Sequence, residues 1–146
     1  MPLYWVILLV LGIALSTLDD LSRRSEELSI EGDSSAIAHN LLVYRNALAK
    51  YAQANTGITG SVADASLSLP AWFMHLPGVD GYIVSGNSYA FYASPPAGLV
   101  AELAVLTDAS TSVGYVSSGR LISPSSGATA IVIPPTIPDG AAVAYR

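Results

Sequence analysis

Cysteine is absent from this chain of 146 residues. That excludes a disulfide framework, a thiolate metal site, a cysteine nucleophile and a lipidated cysteine. Charge is scarce as well, at 12% of residues against about a quarter in an average domain. The six cations are Arg23, Arg24, Arg45, Lys50, Arg120 and Arg146, and they form no basic run. A nucleic-acid partner needs a clustered positive face to exchange counterions with phosphate, so none is expected. Histidine occurs twice, at His39 and His75, far apart and without ligand-like spacing to a carboxylate. No HExxH pair, EF-hand loop, P-loop or GxGxxG turn is present. The nearest approach to a nucleophile elbow, Gly86-Asn87-Ser88-Tyr89-Ala90, lacks the final glycine and falls in a hairpin pattern. Ser88, His75 and Asp80 can be named as a triad, but any serine-rich chain offers one. Asp64, Asp80, Glu102 and Asp108 are scattered, and a solvated or structural role is the default for each. The expectation is a protein without enzymatic activity, metal, cofactor or small-molecule ligand.

What the chain does have is apolar residues, 51% of the total. Leu3 to Leu15 is an unbroken run, LYWVILLVLGIAL, which Ser16, Thr17 and Leu18 extend to Asp19. From Pro2 to Leu18 a helix is roughly 26 Å long, slightly short of a ~30 Å hydrocarbon core but within the accepted range. Its many Leu, Ile and Val residues favour insertion by a few kcal/mol, at roughly 0.3–0.6 kcal/mol each. The expected anchor residues are Leu3, Tyr4, Trp5, Val6, Ile7, Leu8, Leu9, Val10, Leu11, Ile13 and Leu15, with Tyr4 and Trp5 as interfacial aromatics. A cleaved signal peptide has a similar apolar core, and Ala14-Leu15-Ser16 offers small residues for cleavage, but the basic segment that precedes such a core is missing. A buried core helix is the third reading, and a run this apolar at a terminus argues against it. Arg23 and Arg24 follow the run, so the positive-inside rule alone puts the remainder of the chain in the cytoplasm.

Residues 19–33, DDLSRRSEELSIEGD, carry six acids and two arginines and read as a solvated stalk. Leu21, Leu28 and Ile30 give it one weak helical face, which Gly32 is expected to end. A new helix is expected to start from N-cap candidates Asp33, Ser34 and Ser35. Ile37, Leu41, Tyr44, Leu48 and Tyr51 then recur at steps of four and three, one stripe facing a sheet, and Asn55 and Gly57 stop it. Residues 57–80 read as loop with a short helical turn, and Trp72, Phe73, Met74 and Leu76 are expected to plug the core. Tyr82–Val84 and Ser88–Ala93 flank Ser85-Gly86-Asn87 as a hairpin. Gly98–Thr107 reads as a short helix, Val113–Val116 and Arg120–Ser123 as a second hairpin, and Thr129–Ile133 and Ala142–Tyr145 as strands. Helices come early and strands late. The expected fold class is α+β: an N-terminal membrane helix, one long amphipathic helix and a short helix packed on a mainly antiparallel sheet. The boundaries are 1–18 for the anchor, 19–33 for the stalk and 34–146 for a single globular domain. With so few charges after Asp33, some apolar side chains there meet either solvent or a partner. Alternation along the strand places Tyr92 opposite Tyr89 and Phe91, so Tyr92 is a candidate interaction residue.

Four segments carry a family resemblance: VYRNALAKYAQANTG (43–57), GSVADASLSLPAW (60–72), SVGYVSSGRLISP (112–124) and PPTIPDGAAV (134–143). In order and spacing, together with the short anchor, they resemble the short inner-membrane PilM proteins of conjugative thin (type IVb) pilus systems, not the larger actin-like protein of the same name. The motifs are helix faces and turns, with no catalytic signature. The resemblance implies a bacterial inner-membrane component of pilus biogenesis with no enzymatic activity. It also implies a periplasmic domain, against Arg23 and Arg24, and other pilus-machine proteins as partners. The anchor-plus-helix layout is also similar to pilins and pseudopilins. No basic leader ending in glycine precedes the run, however, and no early glutamate lies in it. A structural pilin-like subunit is therefore the alternative, followed by a secreted hydrolase.

Overall fold

The computed structural model describes residues 2–146, and the side chains of all of these except residues 2, 3, 30 and 31. The chain divides into two compact units, Met1–Asp33 and Ser34–Arg146.

Helix α1 (Pro2–Ala54) supplies the described part of the first unit. Its large apolar side chains from Tyr4 to Leu18 all face solvent, Leu8 at 56% and Trp5 at 74%. A helix apolar on every side is unstable in water unless lipid or protein covers it. It is long and apolar enough to cross a membrane, and none of its apolar window is buried. The core-helix reading therefore has no packing to support it. The Ser16 hydroxyl donates to the Ile13 carbonyl at 2.8 Å and the Thr17 hydroxyl to that of Ala14 at 2.9 Å. Both polar groups are thus satisfied within the helix, which hydrocarbon surroundings demand.

The expected break at Gly32 does not occur: α1 is helical through it. Glycine costs only about 1 kcal/mol against alanine in a helix interior, and the glutamates and leucines before it are good helix formers. Ser34 is correspondingly not a cap. It is buried, and its hydroxyl donates to the Ala97 carbonyl at 3.1 Å.

In the second unit α1 ends where expected. The Asn55 amide and side-chain Nδ2 both donate to the Tyr51 carbonyl. Seven strands follow in one sheet: β1 (Thr59–Gly60), β2 (Val79–Val84), β3 (Asn87–Tyr92), β4 (Val113–Ser117), β5 (Arg120–Ser123), β6 (Gly127–Val132) and β7 (Ala142–Tyr145). A single 3-10 turn (Asp64–Ser66) lies in the loop after β1, and helix α2 (Leu99–Leu106) between β3 and β4. The spatial order is β1-β2-β3-β7-β4-β5-β6, and every described pairing is antiparallel. This is the expected α+β class. Both expected hairpins turn on two residues of positive φ, Ser85-Gly86 and Ser118-Gly119. That geometry matches the right-handed twist of the strands it joins.

The sheet buries both faces. On one, Leu41, Tyr44 and Leu48 of α1 and Leu99 and Leu103 of α2 pack over Ile83, Ala90, Val113, Ala142 and Ala144. The strand register explains why α1 sits there. Gly81, Ala90, Ala144 and Val113 are successive cross-strand partners, so three small residues in a row make a shallow bed. A Cβ on Gly81 would run into the Leu48 and Tyr44 side chains. On the other face Tyr89, Phe91, Val116, Leu121 and Val143 are covered by Ile133, Ile137 and Ala141 from the connection between β6 and β7.

Candidate interaction surface

The loop between β1 and β2 is long and irregular, yet side-chain contacts hold it in place against the helix. Asn40 on α1 donates from Nδ2 to the Met74 carbonyl at 2.7 Å and accepts from the Leu76 amide at 3.3 Å. It thus replaces two of the backbone partners that a strand would have supplied. His75 lies between two oxygens, with Nδ1 2.6 Å from Asp64 Oδ2 and Nε2 2.5 Å from the Val79 carbonyl. Its ring tilts against Tyr44 at a centroid distance of 4.7 Å, and Phe73 stacks on Tyr44 at 6.4 Å.

Neutral imidazole has one N–H to donate, and imidazolium has two. Two facing acceptors therefore favour the protonated ring. Burial is the largest single influence on His75 and pulls its pKa down. The Val79 carbonyl and the carboxylates of Asp64 and Asp80 together outweigh it, so the net displacement is upward. Burial, followed by the same two carboxylates, pushes the Tyr44 phenol up to about 12, so Tyr44 stays neutral.

This pinning sorts the loop's apolar residues. Phe73 and Leu76 pack against the core as expected. Trp72 and Met74 do not: they are 74% and 77% exposed. The reason is local. Asn40 holds the backbone of residues 74 and 76 against α1, and Phe73 and Leu76 fill the space beneath, leaving none for the neighbouring side chains. Trp72 and Met74 line a groove of about 500 Å³ together with Phe73 of the loop and Ala36, His39 and Val43 of α1. A large aromatic and a thioether held out on an ordered loop are typical contact residues. Residue type alone did not reveal them, because both are common core residues; only the pinning of the loop separates them from Phe73 and Leu76.

The structure places the other named residues as follows. Tyr4, Trp5, Val6, Ile7, Leu8, Leu9, Val10, Leu11, Ile13 and Leu15 all lie exposed on α1; the side chain of Leu3 lies outside the described residues. Tyr92 is on the opposite sheet face from Tyr89 and Phe91, but that face is also covered. Tyr92 is half-buried against the helix-side core, and its ring lies against Gly78. Ser88 does not join His75 and Asp80 in a triad. Ser88 is buried with its hydroxyl on the Arg146 carbonyl at 3.1 Å, and the partner of His75 is Asp64. Among the described residues no group of three His, Asp or Glu side chains converges on a metal-sized site.

An all-antiparallel seven-stranded sheet with a long helix on one face and a short second helix defines an α+β domain, and the apolar run that begins the long helix is long enough to cross a membrane. The chain belongs to the PilM family, whose sequence profile matches residues 6–145. A crystal structure described as a PilM protein of Pseudomonas aeruginosa is 48% identical, with 78% of this chain and 93% of that one covered and a TM-score of 0.51. A second, from Escherichia coli and also described as PilM, shares the fold at a TM-score of 0.60 with 23% identity, over 80% of this chain and 93% of that one. No curated protein matches the sequence. Membership of this family points to pilus biogenesis.

Proposed function

We propose that this protein is a non-enzymatic, inner-membrane component of a conjugative type IVb pilus-assembly machine, and that it works by docking its globular unit onto other proteins of that machine. The observation that carries the reading is the pinned loop that holds Trp72 and Met74 in solvent. Large apolar side chains on a fixed backbone lose little entropy when a partner covers them, so they bind more tightly than the same groups on a mobile loop. Family membership supports the pilus context, and the apolar N-terminal helix supports the tether. The absence of activity is supported by His75, whose two nitrogens are both engaged by protein oxygens, leaving none to take a substrate proton. The periplasmic side is supported by the resemblance in residues 43–57, 60–72, 112–124 and 134–143, and opposed by Arg23 and Arg24.

The paired substitution Trp72→Ser and Met74→Ser tests the docking role. It removes exposed apolar surface and no core contact. Pilus assembly is expected to fail while the melting temperature stays within a degree or two of the unmodified protein. Normal piliation in this variant would remove the loop from the interface.

A further inference from the structure

A second recess lies away from the Trp72 loop, where the α1 segment around Arg45 meets the end of α2 and the last residues of β7. It measures about 670 Å³, and its lining includes Arg45, Asn46, Arg146, Leu42, Leu106 and Tyr145. Two guanidinium groups converge in it. Arg146 Nη1 donates to Asn46 Oδ1 at 3.2 Å, and Arg45 Nη2 donates to the same oxygen at 3.4 Å. One neutral amide oxygen is thus shared by two full positive charges. Among the described residues, neither arginine makes an ion pair. Arg45 Nε is buried without a hydrogen-bond partner. Burial, and next the charge of Arg146, holds Arg45 below its ordinary pKa. Asp108 follows Thr107 in the chain but is not part of the lining.

Residues 34–146 carry only four cations, Arg45, Lys50, Arg120 and Arg146, against five acids. Two of those four share one recess whose lining holds no acidic side chain. Like charges brought together and part-desolvated are costly unless an anion joins them, and paired guanidiniums match the two oxygens of an oxyanion. The Ser112 hydroxyl, in the same lining and 2.8 Å from Ser110 Oγ, adds a further neutral polar group. The walls decide which oxyanion fits. Leu42, Leu106 and the Tyr145 ring offer apolar surface that a side-chain methylene stem would cover and that inorganic phosphate would leave bare.

We propose that this recess is a carboxylate-binding site, in which Arg45 and Arg146 take up a glutamate or aspartate side chain of a partner protein. It rests on the docking reading only for the source of the carboxylate; the site itself is read on the isolated protein, so the two can fail separately. The test uses the uniformly 15N-labelled full chain in detergent micelles, titrated with a blocked triglutamate peptide at constant ionic strength. The Arg45 Nε–H resonance is expected to shift saturably, and a triglutamine peptide is expected to leave it in place. Arg146→Gln, at an exposed side chain, keeps the reporter and is expected to weaken binding at least fivefold. Arg45→Gln, read through backbone amides near Ser112, is expected to do the same. A non-saturating shift, an equal response to triglutamine, or tighter binding of inorganic phosphate than of triglutamate would each overturn the assignment. So would unchanged affinity in folded Arg146→Gln.

Discussion

At the scale of single residues, His75 links the loop to pH. Its folded-state pKa is raised, so the protonated ring is the form that the fold prefers. A group raised above its unfolded value of about 6.5 contributes its full stability below that pH and loses it as pH rises through the folded value. Its facing groups are Asp64, Asp80, the Val79 carbonyl and the Tyr44 ring, and with Tyr44 neutral up to about 12 the two carboxylates supply the charge. The melting temperature is therefore expected to fall as pH rises above about 6.5, and His75→Gln is expected to flatten that slope. A slope unchanged by the substitution would show that His75 does not staple the loop. None of this was legible in the sequence. His75 and Asp64 are separated by a proline-containing loop, and nothing in residue type says that the imidazole meets two oxygens rather than one. Trp72 and Met74 were misread for the same reason: hydrophobicity fixes a tendency to be buried, whereas the Asn40 clamp fixes which of four neighbours have room.

At the scale of elements, local chemistry located the pieces well. The stripe Ile37, Leu41, Tyr44, Leu48 and Tyr51 defines the buried face of α1 because helical periodicity is intrinsic to the chain. Both hairpins announce themselves through Ser-Gly turns that accept positive φ. Gly32 misled because a glycine weakens a helix without ending it. The order of strands was hidden. β7 inserts between β3 and β4, a pairing of residues far apart in sequence, and no local pattern encodes it. The small-residue bed under α1 follows from that insertion, since Ala144 joins the row only once β7 is in place. Two glycines test the packing. The atoms nearest a Cβ at Gly81 belong to the Leu48 and Tyr44 side chains, whereas those nearest one at Gly114 are the Ile122 carbonyl and the Ser123 backbone. Gly81→Ala is expected to cost roughly 1–3 kcal/mol, the usual range for overpacking. Gly114→Ala is expected to cost more, because side chains rotate away and a strand backbone does not. Chemical denaturation of both variants checks the order, and a reversal would mean that α1 is held less closely than the strand pair.

At the scale of the whole molecule, the question is where the globular unit faces and what covers it. The apolar run of α1 was legible because membrane solvent imposes a length and a composition that few other settings require. Sidedness was not legible. Arg23 and Arg24 argue for the cytoplasm, yet Arg23 sits 3.7 Å from Asp19, an exposed pair that screens part of its charge. Under the proposed periplasmic placement, alkaline phosphatase fused after Arg146 is expected to be active; an inactive fusion of full length would put the domain in the cytoplasm.

The most direct test of the docking account is in-cell photocrosslinking from position 72. A photoreactive amino acid replaces Trp72 in one strain and the exposed Asp139 in another, with the remaining pilus genes intact. The account predicts a discrete higher-mass adduct from position 72 that contains a second pilus-machine protein, and none from position 139. Equal or absent crosslinking at both positions in piliated cells would contradict it.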